Sequence, residues 1–393
     1  MIKPFVLAKL PKIIFGAGKF ADAPKLIKAY GRNVLLVTGA GSHQTSGRWE
    51  TLLEALRDAS IRSFHYTVKG EPSPDIVDAA VAEFKDKNIE VVMSWGGGSV
   101  IDAGKAISAM LPQNKSVRAF LEGVGHPAAH DGRKVPFIAA PTTGGTGTEA
   151  SKNAVLSQVG PDGFKKSLRH DNFVPDVALV DPELALSCPP HITAACGLDA
   201  FTQLLESYVS TGASPLTDAL ALSGLQQIKS CLIPVCTDQG HDIGMRAGMA
   251  YAALLSGITL AHAGLGIVHG LAAPLGGYFE IPHGVVCGTL LGTATRSTIE
   301  KLRAEHGLDH HALVKYAEIG ALFSGENDLS VDQRCRRLTE IIERWIETLH
   351  IPRLSAYGIR ESDLAKVVAI ADNKNNPVWL DASEVRNLLA RRL

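Results

Sequence analysis

Disulfide chemistry has little to work with in this chain. It holds six cysteines in 393 residues, none of them in a CxxC pair. No basic, apolar and small-residue leader opens at Met1-Ile2-Lys3, so free thiols in a reducing cytoplasm are expected. Charge of one sign is also lacking, with 39 Lys and Arg against 40 Asp and Glu. That balance removes the electrostatic case for a nucleic-acid partner or an anionic membrane surface. With 46% hydrophobic and 20% charged residues, the composition is that of a soluble globular protein, neither disordered nor fibrous. One long stretch, Ala247 to Phe279, contains no Asp, Glu, Lys or Arg and passes the length test for a membrane span. His262, His269, Pro274 and glycines including Gly257, Gly264, Gly266, Gly270, Gly276 and Gly277 make its transfer into lipid only weakly favourable. A buried helix pair lining a site is the expectation instead.

The length suits two domains. In the first half, short apolar runs alternate with helical patterns. Strands are expected at Asn33–Thr38, Ile61–Val68, Glu90–Trp95, Val135–Ala140 and Val177–Val180, and helices at Trp49–Ala59, Ile76–Lys87 and Val100–Met110. Runs apolar on both faces indicate a parallel sheet covered on both sides, which binds ligands at the carboxyl ends of its strands. After Asp181-Pro182 and Cys188-Pro189-Pro190 the texture becomes helical, with helices expected from Thr193 through Ala371. The boundary is therefore placed near 185, giving residues 1–185 and 186–393. No internal repeat or low-complexity tract is present.

Three turns follow predicted strands. In Trp95-Gly96-Gly97-Gly98-Ser99-Val100-Ile101-Asp102, bare backbone could approach a pyrophosphate, and the next helix supplies unpaired N–H donors. The spacing is not GxGxxG; the position between strand and helix carries the reading. In Pro141-Thr142-Thr143-Gly144-Gly145-Thr146-Gly147-Thr148-Glu149, four hydroxyls could hold a ribose or phosphate. In Thr38-Gly39-Ala40-Gly41-Ser42, the place where NAD-selective sites carry an acid holds Gly39. The absence leaves room for a 2′-phosphate, with Ser42 and backbone amides as donors, so either NAD or NADP is expected.

In the helical half, Asp199 and Gln203 stand four apart on one helix face, and His269 and His283 each precede a glycine. One carboxylate and two imidazoles suit a zinc or iron ion with an open position, although such residues in separate elements are also common without an ion.

Together these residues carry a resemblance. The chain is similar to the iron-containing (group III) alcohol dehydrogenases over nearly its whole length. The matching pieces are Phe15-Gly16-Ala17-Gly18, Gly96 to Ser99 with Asp102 and Lys105, Pro141 to Glu149, Val174 to Pro182, Gly197 to Asp199, Ala263 to His269, Leu275 to Gly277, and Pro282-His283-Gly284.

The resemblance implies an α/β N-terminal domain with a parallel, Rossmann-like sheet, an architecture shared with dehydroquinate synthase, and an all-α C-terminal domain. It implies an NAD(P)-dependent oxidoreductase that interconverts an alcohol and an aldehyde or ketone, with Fe(2+) or Zn(2+) polarising the substrate oxygen. The metal ligands carried over are Asp199, His269 and His283, with Gln203 as a weak fourth ligand where the family has a third His; Ala273 stands where members often carry a His near substrate. A Gln carbonyl is a weaker donor than imidazole, so metal affinity should fall. If no metal binds, His269 or His283 would donate the proton in a metal-independent carbonyl reductase of the same fold. A lyase of the dehydroquinate synthase type and a degenerate nucleotide-binding member are the other classes weighed. Lys165 falls where the family places a lysine near the dinucleotide. His262, where Asn is usual, reads as a core histidine, and the other eleven of the 14 histidines receive no role. A small alcohol or aldehyde substrate and a homodimer or larger homo-oligomer are the expected partners.

Overall fold

A computed structural model of the protein describes residues 4–41, 43, 47–125 and 128–393. Ser42 lies outside them. Six strands form one parallel sheet: β1 (Lys12–Phe15), β2 (Asn33–Gly39), β3 (Arg62–Val68), β4 (Val91–Gly96), β5 (Phe137–Pro141) and β8 (Val177–Val180), in the order β1-β8-β5-β4-β2-β3. The inner runs of Val, Leu, Ile and Ala in β2, β4, β5 and β8 are buried on both faces, as parallel strands covered by helices must be.

The chain steps outward from β2 to β3, then returns to set β4 on the other side of β2. At that switch the connections leaving the strand ends diverge and open a crevice. Thr38 pairs with Trp95 and Gly96 with Pro141, so the turns after β4 and β5 emerge side by side. The first leads into α4 (Gly98–Met110), which follows α1 (Ala23–Lys28), α2 (Trp49–Asp58) and α3 (Pro74–Phe84).

Helices α1 and, near the end of the chain, Ala382–Ala390 were not read from the sequence, and neither were two strand features. Edge strand β1 is only four residues long and largely exposed, too short for a periodicity to show. β6 (Asn153–Gln158) and β7 (Phe164–Arg169) form a separate antiparallel ribbon. The ribbon contacts both α4 and a helix of the second half, and Lys165-Lys166 breaks its apolar alternation.

From Pro190 onward the chain is helical: α5 (Pro190–Val209), α6 (Pro215–Cys236), α7 (Ile243–Ala263), α8 (Ile267–Tyr278), α9 (His283–His306), α10 (His311–Ser324), α11 (Val331–Thr348), α12 (Leu364–Val368) and α13 (Ala382–Ala390). The helix expected over 361–371 is mostly a 3-10 turn followed by the five residues of α12. Both α6 and α7 are long and apolar enough to cross a bilayer by length and composition. The uncharged stretch 247–279, however, breaks at Gly264 (φ 76°) into α7 and α8, whose apolar faces join the helical core.

Besides the ribbon, the two halves meet through the threonine-rich turn. Gly147 (φ 61°) lies so close to α7 that a Cβ added at Gly257 would sit 1.9 Å from its carbonyl oxygen. On the other side, the buried Lys105 ammonium of α4 donates to the carbonyl oxygens of Thr148 (2.7 Å), Ser151 (2.9 Å) and Asn153 (2.8 Å). Burial, only partly opposed by Asp102 and Glu149, lowers its pKa to about 8. A buried cation and a close glycine contact thus both hold the turn. Lys105→Met should leave three buried carbonyl oxygens without their donor and Asp102 without its neighbouring cation, and cost about 3–5 kcal/mol. Denaturant unfolding measures this, and a loss below about 1 kcal/mol would contradict the clamp.

Glu149, in the same turn, is 2% exposed. Burial pushes its carboxyl up to about 7 from an ordinary 4.5, with its own backbone N–H and Lys105 opposing. A carboxyl raised on folding contributes stability that is complete below the unfolded pKa and is lost as pH rises through about 7. Glu149→Gln should therefore gain on wild type, by on the order of 1–3 kcal/mol, between about pH 5 and pH 8. A stability difference that did not change with pH would show that Glu149 ionises as an ordinary carboxyl.

Candidate active site

The second half builds its polar centre on one face of α5. Asp199, Gln203 and Glu206 follow at spacings of four and three, and all three are buried. Glu206 organises the start of α8: one carboxylate oxygen accepts the Val268 N–H (2.7 Å) and the other lies 2.7 Å from His269 Nδ1. With its Nδ1 proton so engaged, the His269 ring presents Nε2 to Asp199 Oδ1 at 3.3 Å. His283, the first residue of α9, presents its own Nε2 to the same oxygen at 3.7 Å. One helical turn later Cys287 Sγ lies 3.7 Å from both Nε2 atoms. Donor atoms of Asp199, His269, His283 and Cys287 all fall within 4.8 Å of one another.

Charge balance explains the titration of this group. Burial works against the Asp199 carboxylate, but His283 and His269 outweigh it and hold the group below its usual range. Burial also disfavours the His269 cation, yet Cys287, Asp199 and Glu206 together raise its pKa well above the ordinary value. His283 is pushed down to about 4 by burial, which its attraction to Asp199 does not overcome. The Cys287 thiol is pushed up to about 12, again by burial.

Gln203 is turned away from the role of ligand. Its Nε2 donates to Asp199 Oδ1 (3.2 Å), while Oε1, its only atom able to donate electrons to a cation, accepts from the Ser256 hydroxyl (2.6 Å). Gln203, expected as a weak fourth ligand, thus turns its N–H toward Asp199 and its oxygen toward Ser256.

Across from this cluster lies the mouth of the sheet. A single cleft of about 1340 Å³ is lined by Gly97, Gly98 and Ser99 on one side and by Asp199, Gln203, His269 and His283 on the other. Thr143, Thr146 and Thr148 also reach it, as do Asp102 and Lys165. Asp102 accepts from the Thr148 hydroxyl and the Val155 N–H, so its carboxylate is committed to holding the turn. Lys165 is paired with Glu71 at 3.1 Å, and Glu71 in turn contacts Ser99.

Four residues expected at the dinucleotide do not line the cleft. Thr142 is buried, its N–H spent on the Gly96 carbonyl oxygen at 3.0 Å. Gly96 packs on Val100, whose side chain leaves no room for a Cβ. Gly39 and Gly41 follow at the carboxyl end of β2, on the same edge of the sheet but outside the cleft's lining, near His43, which is buried against Trp49, His65 and Trp95. Sequence reasoning missed Glu206 and Cys287. Each had a legible signal: Glu206 is seven residues after Asp199, and Cys287 four after His283, on the same helix faces.

An open α/β sheet whose glycine turn faces a carboxylate and imidazole cluster across one cleft defines a dinucleotide-dependent oxidoreductase with a separate helical half. The chain belongs to the iron-containing alcohol dehydrogenase family. Residues 11–182 match the family described as iron-containing alcohol dehydrogenase, and residues 193–393 the Fe-containing alcohol dehydrogenase family, C-terminal. It is 34% identical over 359 residues to alcohol dehydrogenase 4 of Saccharomyces cerevisiae, covering 90% of this chain and 88% of that one. It is 30% identical to the NAD-dependent methanol dehydrogenase of Bacillus methanolicus, over 90% of each. The crystal structure of a 1,3-propanediol oxidoreductase superposes with a TM-score of 0.87 at 28% identity, covering 100% of both chains. The protein is thus an alcohol dehydrogenase that interconverts an alcohol and an aldehyde or ketone by hydride transfer with a nicotinamide dinucleotide, in a family that uses a divalent metal.

Because Glu206 fixes the His269 ring, Glu206→Gln should weaken divalent-metal binding by about 10- to 100-fold without unfolding the chain. Equilibrium dialysis against zinc measures it, and an unchanged affinity would deny Glu206 the orienting role.

Proposed function

We propose that Asp199, His269 and His283 hold the divalent metal, Fe(2+) or Zn(2+), and that Gly97, Gly98, Ser99 and the threonine-rich turn hold the dinucleotide, with NADP accepted as well as NAD. The observation that carries the reading is the single cleft shared by the glycine turn and the two imidazoles.

The residues fit both groups. A carboxylate and two Nε2 atoms converging inside a buried cluster are a donor set for zinc or iron. At the other wall, α4 begins on Gly97 without a side-chain cap, so its first N–H groups are unclaimed by one. A Cβ at Gly98 would lie 2.5 Å from Thr146 Cγ2, so only glycine leaves the backbone bare there.

When bound, the metal supplies Lewis acidity toward the substrate oxygen and the nicotinamide exchanges the hydride. The chain supplies position and a controlled medium. Glu206 keeps a proton on His269 Nδ1, which frees Nε2 to face Asp199. Gln203 steers the Asp199 carboxylate from behind through its amide N–H. Glu71 pins the Lys165 ammonium beside the cofactor wall. Leu260, Leu265 and Ala273 give the cleft an apolar flank against which an alcohol's carbon chain can exclude water.

Other observations support the remaining expectations. All six cysteines are free, in keeping with a reducing cytoplasm. Edge strand β1 presents Ile13 and Phe15 partly exposed, beside exposed Phe5, Val6 and Leu7, a surface suited to self-association. The acceptance of NADP rests on Gly39 at the end of β2, where no carboxylate repels a 2′-phosphate.

Steady-state kinetics with both cofactors, before and after chelation, test the assignment. Expected are loss of turnover on metal removal, recovery on adding zinc or ferrous ion, and turnover with NADPH as well as NADH at kcat/KM values within about 1000-fold of each other. Unchanged turnover in metal-free protein would overturn the metal assignment. A preference for NADH of about 1000-fold or more would overturn the reading of Gly39.

A further inference from the structure

We propose that Cys287 is the fourth protein ligand of the metal centre, taking the coordination place that Gln203 leaves, and that the resulting Asp–His–His–Cys set selects zinc over iron. The proposal rests on the metal-dependent reading above and concerns a residue that neither the sequence argument nor the family pattern used there assigns.

Geometry carries it. Zinc bonds of about 2.3 Å to sulfur, 2.0–2.1 Å to nitrogen and 2.0–2.2 Å to oxygen, set at tetrahedral angles, require S···N edges of about 3.6 Å and O···N edges of about 3.4 Å. Cys287 Sγ stands 3.7 Å from His269 Nε2 and 3.7 Å from His283 Nε2. Asp199 Oδ1 stands 3.3 Å and 3.7 Å from the same two nitrogens. Four edges of one tetrahedron are therefore close to coordination length, with every donor pair within 4.8 Å.

The covalent framework favours the same arrangement. Cys287 is four residues after His283, so one turn of α9 presents both donors on one face. Its side chain is fully buried among the other ligands. Gln203 is the competing donor, but its oxygen is held by Ser256, and reversing the amide would exchange the N–H that it gives Asp199 for a repulsive oxygen. Coordination exchanges the S–H bond of Cys287 for a sulfur–metal bond, and the proton leaves to solvent. A thiolate is a soft donor and zinc stands above ferrous ion in general affinity, so the replacement of imidazole by sulfur moves the site toward zinc.

The experiment loads full-length, metal-depleted protein with zinc alone and reads zinc-edge X-ray absorption, and separately with Co(2+) alone and reads its optical spectrum. Expected are one sulfur scatterer at about 2.3 Å and a near-ultraviolet thiolate-to-cobalt band. Both signals should persist in Cys196→Ser and Gln203→Ala and vanish in Cys287→Ser, with zinc affinity about 10- to 100-fold weaker there. Cys196 also lines the cleft, so a sulfur signal that survives in Cys196→Ser points to Cys287 even if Cys287→Ser fails to fold. From an equimolar mixture of zinc and ferrous ion, zinc should load at least about tenfold in excess. Stoichiometric metal with only nitrogen and oxygen neighbours would overturn the role of Cys287 and leave the metal reading intact. A signal lost with Cys196 would overturn it too, and equal loading of the two ions would overturn the selectivity. If wild type bound neither zinc nor cobalt, the metal reading itself would fall.

Discussion

Two carboxylates buried on one face of α5 impose the constraint that organises the helical half. A buried carboxylate is costly unless positive charge or strong donors meet it. Asp199 and Glu206 are about two turns apart on one face, so the compensation must converge on a small volume. It comes from two helix starts. α8 begins on the Val268 N–H and the His269 ring, both held by Glu206, and α9 begins on His283, turned toward Asp199. Each contributes an imidazole and the positive end of a helix dipole. The placement of two of the three expected ligands is therefore a consequence of where acid is buried on α5.

That arrangement would be inert if it faced anything but the sheet's carboxyl edge. What aligns the halves is the turn between β5 and β6, pressed against α7 through Gly147 and Gly257 and clamped from the α4 side by Lys105. The same turn carries Thr143, Thr146 and Thr148 into the cleft. One segment is at once a contact between the halves and part of the wall offered to the dinucleotide. Rigidity there translates into a fixed distance between the glycine turn and the imidazoles. Asp102 shows the economy of the design: its carboxylate faces the cleft yet is occupied with the Thr148 hydroxyl and the Val155 amide.

Much of this was legible from residues whose period or punctuation is strong. β2, β4, β5 and β8 announce themselves as apolar runs between turn signals, and Gly96-Gly97-Gly98 lies at a strand end as its context implied. The uncharged stretch divided into two helices at Gly264 because left-handed backbone at a glycine ends α7. Short or edge elements were not legible, since β1 has four residues and the β6–β7 ribbon draws its stability from packing rather than pattern. Spacing placed Gln203 on the ligand face correctly but could not reveal which end of the amide would face Asp199. That depends on Ser256, 53 residues further along the chain. Cys287 was passed over because a solitary cysteine in a helix reads as a small apolar residue until two imidazoles are seen beside it.

The departure at Gln203, with Cys287 as the proposed fourth ligand, changes the charge of the centre as well as its donors. An Asp and three imidazoles around a divalent ion leave one net positive charge. An Asp, two imidazoles and a thiolate leave none. In a buried site that difference is felt directly, because little solvent screens it. A neutral centre holds its ion more firmly through the soft donor and withdraws less electron density from an alcohol oxygen. The hydroxyl proton would then depend more on the surrounding chain for its departure, in a cleft where Ala273 offers no imidazole. Gln203, Cys287 and Ala273 are thus connected by one requirement: whatever balances the buried carboxylate of Asp199 also sets how strongly the site can activate its substrate.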